Sequence, residues 1–593
     1  MTARYLSLVF PYSLVVLLAF QCFYGLNLAS LASTMACMVV ILCVAALAAF
    51  GWIPDRRFVT AGVIGSVAVT GLYLLTCNEW VSIIGDNTVY IRDARRLASG
   101  ESVLDSQYGL GVKTMLIPAV VLFPDSVTAL KATVALSGFL FPLCTFLVLR
   151  EFVDDSRALL IALISGAFWI AVEYANVVTA DIPFPVFSLL ALWVILQYIR
   201  CPGISWKWLI AAATAVGWAY HVKSPSIYLV IAAVIYLVLH KEVKKPLLLV
   251  ALVSVWVLPW VLYLKVNFPE SQGYLGMINQ IAMGAYIPEG EAGSFWQNFL
   301  YYLFHKNPAG YLKNLEYFLL PREYMRQLPI SAEWRPIGWL LLTLIAIGFV
   351  SGRRPANKKP LSLLRSLEVH DWYVLGYIAT LFILPGSPNR YLLPILPFIV
   401  FYIFTGAEFI CNRFPCSIEP AKRFPRYLPL EKVTAVLQQP ILVRCSPVLL
   451  ACVFLLPSLF MDFAIIRDRR MMPGYHRYWK TYHEASVWMR DNIPPQSRVT
   501  TRKPGLVWFW SRRETDGYPR VENPDEALQA LGKFDFILLE NIPFFREKSK
   551  YIMPAINAYP ERFVVSHKTG PPETYVIRIL KNGPFSRGRG PAP

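Results

Sequence analysis

Charge is what this sequence of 593 residues has least of: Asp, Glu, Lys and Arg make up 16% of it, against about 25% in ordinary soluble chains. With 56% hydrophobic residues and a mean hydropathy of +0.47, a string of soluble domains is excluded, and so is a disordered chain. Cysteine is nearly as uninformative. All ten fall in apolar runs or in short basic loops and none lies beyond position 467, so no disulfide framework is expected. Cys411 and Cys416 stand too isolated for a four-ligand zinc site, and the seven histidines show no metal spacing. Glycine-rich nucleotide loops of the GxGxxG or GxxxxGK[ST] kind are missing, which removes support for a nucleotide-sugar or ATP-driven mechanism.

What the chain does have is long apolar runs. Residues 5–54 carry no charge at all, and 50 residues of helix would reach about 75 Å across a hydrocarbon core of about 30 Å. The run must therefore fold back once, giving spans at 6–24 and 29–52; a cleaved signal peptide would be shorter and would not be followed directly by a second span. Further runs at 58–77, 127–149, 158–173, 182–199, 208–222, 225–240, 246–265, 336–351, 372–388, 391–410 and 446–466 bring the expected total to about thirteen transmembrane helices. Basic loops at 55–57, 241–245, 352–365 and 413–444 all fall on one side, which makes that side cytoplasmic and the amino terminus cytoplasmic with it. Lys131, inside an apolar run, reads as a snorkelling anchor.

Segments 78–126 and 267–335 and the tail 467–593 then lie outside. A transmembrane domain at 1–466 and a small extracytoplasmic α/β domain at 467–593 with a disordered end are expected. The tail holds 22 Lys+Arg against 13 Asp+Glu, about half of the net +18. Charge placed there points to anionic lipid or a polyanionic acceptor, or to a plain solvated surface, and not to nucleic acid.

The first outside segment carries the chemistry best. It reads IIGDNTVYIRDARRLASG, with Asp86 just past a span and Tyr90, Ala94 and Leu97 on one stripe of a short helix. Asp86 at the start of such a helix meets the positive end of its dipole, which favours a carboxylate there.

These residues resemble the GT-C glycosyltransferases that use polyprenyl-phosphate sugars, the protein O-mannosyltransferases and lipid A aminoarabinose transferases. Asp86, Tyr90, Ala94, Leu97 and Gly100 match the Asp-x-x-x-Tyr-x-x-x-Ala-x-x-Leu-x-x-Gly of their first outside loop. YGLGVKTMLIPAVVLF supplies Lys113 where the family has a lysine-bearing amphipathic helix, and TADIPFPVFSLLALW supplies Asp181 as a second outside carboxylate. GWAYHVKSPSIYL resembles the family's Lys-Gly-Pro hairpin with Lys223, and NRYLLPILP resembles its late helix with Tyr391. Two departures stand out: Asn87 replaces a second carboxylate, and Ser224 replaces the hairpin glycine.

The resemblance implies a GT-C fold and transfer of a sugar from a polyprenyl-phosphate carrier to a lipid, glycan or protein acceptor, with inversion, on the outer face of a bacterial inner membrane. Asp86 is then the expected general base and Asp181 assists. Lys113, Lys223 and His221 are expected at the donor phosphate, with Lys306 or Arg322 as weaker choices. Tyr90, Asn87 and Tyr391 are expected at the substrate. No cofactor is obligatory on this reading, a divalent metal is left open, and the protein is expected as a monomer. The alternatives are a lipid or polysaccharide flippase or transporter, disfavoured by spans with few polar residues, and an oligosaccharyltransferase or O-antigen-ligase-like enzyme, disfavoured because the tail has no Trp-Trp-Asp signature.

Overall fold

A computed structural model describes residues 56–83, 86–101, 108–267, 294–316, 335–351, 360–383, 389–413, 457–458, 461–469, 475, 477–542 and 547–581. The chain forms two compact units, Met1–Asn78 with Asp93–Arg470, and Glu79–Arg92 with Met471–Pro593. The smaller unit thus takes in residues 79–92 as well as the tail.

The larger unit is helical throughout its described residues. Four of its helices are long and apolar enough to cross a membrane, Val127–Leu149, Pro183–Arg200, Lys244–Val266 and Asn389–Ile410, and a fifth if the bent pair Asp155–Gly166 and Trp169–Ala175 counts as one span. Shorter apolar helices occupy Thr60–Thr76, Leu110–Leu122, Ser224–Leu239, Gly338–Ser351 and Val369–Ile383. The expected spans at 6–24 and 29–52, most of the one at 446–466 and much of the loop 267–335 lie outside the described residues.

Six elements of this unit position the site. Helix α1 is Asn87–Ala98, within which the two units divide; α2 is Leu110–Leu122, α3 Trp169–Ala175, α4 Pro183–Arg200, α5 Trp206–Val222 and α6 Leu396–Arg413. Apolar on every face, α4 is buried along nearly its whole length, as a helix without a polar side must be. Proline occupies its first turn, where no N–H is missed, and Arg200 sits in its last turn. The Lys245 ammonium then donates to the carbonyls of Ile199 and Cys201 at 3.2 and 2.9 Å, satisfying groups that the helix end leaves over. On α1 the stripe Tyr90, Ala94 and Leu97 is buried as its spacing predicts. Lys131 corrects its own reading: it is buried and donates to the Asn78 side chain instead of reaching for the interface.

Glycine explains one close approach. A Cβ on Gly109 or Gly111 would run into the backbone of His221 or Val222, so the GLG of YGLGVK lets the start of α2 press on the end of α5.

The smaller unit is built on a five-stranded sheet. Its strands are β1 Arg498–Thr501, β2 Glu514–Asp516, β3 Phe536–Glu540, β4 Phe563–Thr569 and β5 Thr574–Ile579, in the order β2-β1-β3-β5-β4. β1 pairs parallel with both β2 and β3, whereas β5 runs antiparallel to β3 and β4. Helix α7, Arg477–Asn492, precedes the sheet, α8, Pro504–Ser511, connects β1 to β2, and α9, Pro524–Leu531, connects β2 to β3. Ala527 and Leu531 of α9 join Ile537, Leu539, Ile577 and Ile579 in one core. Residues 79–92 belong here because Trp80 stacks edge-on against Tyr475 with ring centres 5.1 Å apart, and Tyr475 in turn meets His483 and Trp510.

Candidate active site

In the larger unit the chain turns sharply through 176–182 before α4, and Asp181 stands in that turn. The Thr179 hydroxyl donates to Asp181 Oδ2 at 2.9 Å, which holds the carboxylate just ahead of the helix N-terminus. Lys223 occupies the extended residue after α5, where its backbone N–H closes that helix on the Ala219 carbonyl at 2.9 Å. The following Ser224–Ser226 turn carries Pro225 in its first positions, so the bend is set by proline geometry and not by the glycine that the sequence lacks.

These two turns bring opposite charges together. Lys223 Nζ lies 3.2 Å from Asp181 Oδ1, and Arg390 Nη1 lies 3.6 Å from Asp181 Oδ2. Arg390 comes from the 3-10 turn Asn389–Ile395 that leads into α6. Tyr391 completes the group: its ring centre is 5.0 Å from Lys223 Nζ and 5.3 Å from the Arg390 guanidinium carbon. Asp181 is 4% exposed, so one carboxylate and two cations sit largely out of water with a net charge of +1. Arg390 Nε has no hydrogen-bond partner among the described residues, and the Asn176 side-chain oxygen has none either. A buried guanidinium nitrogen left over in this way is placed to receive an anion.

The expected residues separate on this map. Asp181, Lys223 and Tyr391 meet. Lys113 meets a different carboxylate: its ammonium is 2.8 Å from Asp93 Oδ2, with both side chains at 0% exposure. Asp93 lies on α1, and the phase of that helix turns it to Lys113. His221 packs its ring against Tyr220 and Trp260 at 6.1 and 5.8 Å and makes no hydrogen bond to Asp181. Lys306 donates to the Tyr302 hydroxyl one helical turn back at 2.8 Å, and Arg322 lies outside the described residues.

Arg390 is the residue that sequence reasoning missed. Its signal was a lone arginine at the start of an apolar run, next to the tyrosine already singled out.

Asp86 belongs to the smaller unit. Its carbonyl accepts from the N–H groups of Val89 and Tyr90 at 3.0 and 3.1 Å, which places it at the cap position of α1 as expected. Asn87 is 1% exposed and donates its amide to the Ser82 carbonyl at 2.6 Å, so it ties down the loop before the helix. Lys503, just before α8, interacts electrostatically with Asp86; burial and the neighbouring Arg502 pull its ammonium below the usual lysine range, while Asp86 and Glu547 pull it the other way. Close packing accompanies this, since a Cβ on Gly505 would collide with the Thr88 hydroxyl. Among the described residues no group of three or more His, Cys, Asp or Glu side chains gathers as a metal site.

Known proteins match this chain in a stretch of sequence and in fold. Residues 116–263 match the family model described as dolichyl-phosphate-mannose-protein mannosyltransferase. ArnT from Cupriavidus metallidurans, solved bound to undecaprenyl phosphate, superposes with a TM-score of 0.51 at 13% identity, covering 87% of this chain and 97% of that one. The archaeal oligosaccharyltransferase AglB from Archaeoglobus fulgidus, solved with an inhibitory peptide and a dolichol-phosphate, gives 0.53 at 12% identity over 90% of this chain and 76% of that one. No curated protein sequence matches. At such identities the structural likeness is one of fold, and the expected resemblance to the GT-C superfamily holds in both respects.

Proposed function

We propose that this protein is an integral-membrane glycosyltransferase that takes a sugar from a polyprenyl-phosphate carrier and passes it to a lipid, glycan or protein acceptor. The observation that carries the reading is the Lys223, Asp181 and Arg390 cluster in a GT-C fold. A lipid-phosphate leaving group needs charge stabilisation and nothing more, and two semi-buried cations supply it without a nucleotide site. Asp181 holds both cations apart from one another and in place until the phosphate arrives.

In the reaction the bond between the sugar's anomeric carbon and the phosphate oxygen breaks, and its electron pair leaves with polyprenyl phosphate. An acceptor hydroxyl forms the new bond from the opposite face, with inversion, and its proton passes to a general base, the role that the sequence resemblance gives to Asp86. Lys223 and Arg390 take the phosphate role in place of Lys113, whose charge is spent on Asp93. Tyr391, lying against both cations, covers the apolar side of the sugar or the carrier. The reading places this chemistry on the outer face of the membrane, as the distribution of basic loops supports.

Purified protein in lipid nanodiscs, given a radiolabelled polyprenyl-phosphate sugar and an acceptor extract, should release free polyprenyl phosphate and label an acceptor. Full transfer by an Arg390→Ala, Lys223→Ala double variant would sink the proposal.

A further inference from the structure

The smaller unit carries a second concentration of polar groups, at the carboxyl ends of its parallel strands. β1 ends at Thr501 and runs straight into Arg502 and Lys503; β3, beside it, ends at Glu540. The chain leaves β1 to one side to make β2 and returns past it to make β3, so the order β2-β1-β3 reverses direction between β1 and β3. In open α/β sheets that reversal opens a crevice outside the strand ends, where ligands bind.

The residues there are linked. Arg502 donates to Glu547 at 3.1 Å, and the Lys503 backbone N–H donates to the Tyr482 hydroxyl at 3.3 Å. Tyr518 donates to Glu540 Oε2 at 2.6 Å. Glu540 Oε1 has no partner among the described residues although the side chain is 1% exposed, and Arg502 and Lys548 are the cations that act on it. A buried carboxylate oxygen left open costs stability, and a hydroxyl of a bound ligand would complete it. Asp86 interacts with Lys503 at the same edge, within the same unit.

We propose that the ends of β1 and β3 form an acceptor site for a hydroxylated ligand bearing an anionic group, such as a sugar carrying a phosphate or carboxylate. This rests on the glycosyltransferase reading. Glu540 Oε1 accepts a hydrogen bond from a hydroxyl of the ligand, Lys503 and Arg502 meet its anion, and the hydroxyl that reacts is presented to Asp86. Neutral sugars satisfy only the first contact and inorganic phosphate only the second, so neither should bind as well as the combination.

The full-length protein in nanodiscs is titrated with glucose 6-phosphate, glucuronate, glucose and inorganic phosphate, and binding is followed by saturation-transfer NMR. Charged sugars should bind more tightly than glucose or phosphate, with glucose 6-phosphate against glucuronate telling which anion is preferred. Glu540→Gln, which keeps the shape of the side chain, and Lys503→Met should each weaken charged-sugar binding by roughly tenfold or more. Binding of dodecaprenyl phosphate should be unchanged in both variants, which shows that they are folded. Charged-sugar binding equal to wild type in either variant, or phosphate alone binding as tightly as glucose 6-phosphate, overturns the site. If wild-type protein binds the charged sugars but never cleaves a polyprenyl-phosphate sugar, the ligand is not an acceptor and the catalytic reading falls instead.

Discussion

Asp181 touches two cations that the chain supplies from distant places, Lys223 at 3.2 Å and Arg390 at 3.6 Å. One carboxylate between two cations leaves one positive charge uncompensated, in surroundings where water screens it poorly. Such a pair of cations would repel without Asp181. The carboxylate therefore positions them, and an arriving phosphate would share them with it.

Removing one cation should weaken the transition state more than the resting complex. Arg390→Ala is expected to lower kcat about 10²–10³-fold, the range for loss of one preorganised donor to a developing anion. Arg390→Lys should recover only part of this, because a lysine cannot offer two N–H groups in one plane. Steady-state release of polyprenyl phosphate measures both; wild-type kcat in Arg390→Ala would remove Arg390 from the reaction.

Asp86→Asn keeps the volume of the side chain and its place ahead of α1 but cannot accept the acceptor's proton. Transfer should fall by at least about 10²-fold while binding of the donor stays as in wild type. Near-normal turnover would assign the base elsewhere.

The buried pair Asp93 and Lys113 predicts a stability cycle. Either Asp93→Asn or Lys113→Met alone leaves an uncompensated charge out of water and should cost about 3–5 kcal/mol. The double variant should recover most of that, since both charges are then gone. Thermal unfolding of the detergent-solubilised protein reports it; additive losses would show that the two side chains do not act as a pair.

Burial pushes the Glu540 carboxyl above the usual range, against the opposing pull of the Tyr518 hydrogen bond, Arg502 and Lys548, with Tyr482 also nearby. A raised acid pKa in the folded state means that the native chain holds its proton longer than the unfolded one, so stability falls as pH rises above the ordinary glutamate range of about 4.3. Glu540→Gln should then stabilise the protein at neutral pH, and the gain should vanish below about pH 4. Thermal melts across that interval test the sign, and a destabilised variant at pH 7 would contradict it. Together with weaker charged-sugar binding, the expected gain would mark Glu540 as kept for function at the expense of stability.

Some of this architecture could be read along the chain. Hydropathy marks helices such as Pro183–Arg200 and Lys244–Val266 because a membrane-crossing segment must satisfy its own backbone and present apolar side chains over a continuous stretch. Asp181 and Lys223 were also legible, as polar residues at the ends of apolar runs. Asp86 announced itself by its place before an amphipathic turn. Each of these is a local property of a dozen or so residues.

The partners of those residues were decided only by tertiary structure. Arg390 reaches Asp181 because α4 and the turn before α6 pack together, across some two hundred positions that no local pattern connects. Lys113 looked as suitable for phosphate as Lys223 until the rotation of α1 put Asp93 against it. Glu540 is one polar residue at the end of an apolar strand, and only the strand order places it next to the end of β1. Helix formation and membrane insertion depend on neighbours in sequence, and so the sequence determines them directly. A charge finds its counter-charge through neighbours in space, and those are set when the helices and strands have chosen their faces.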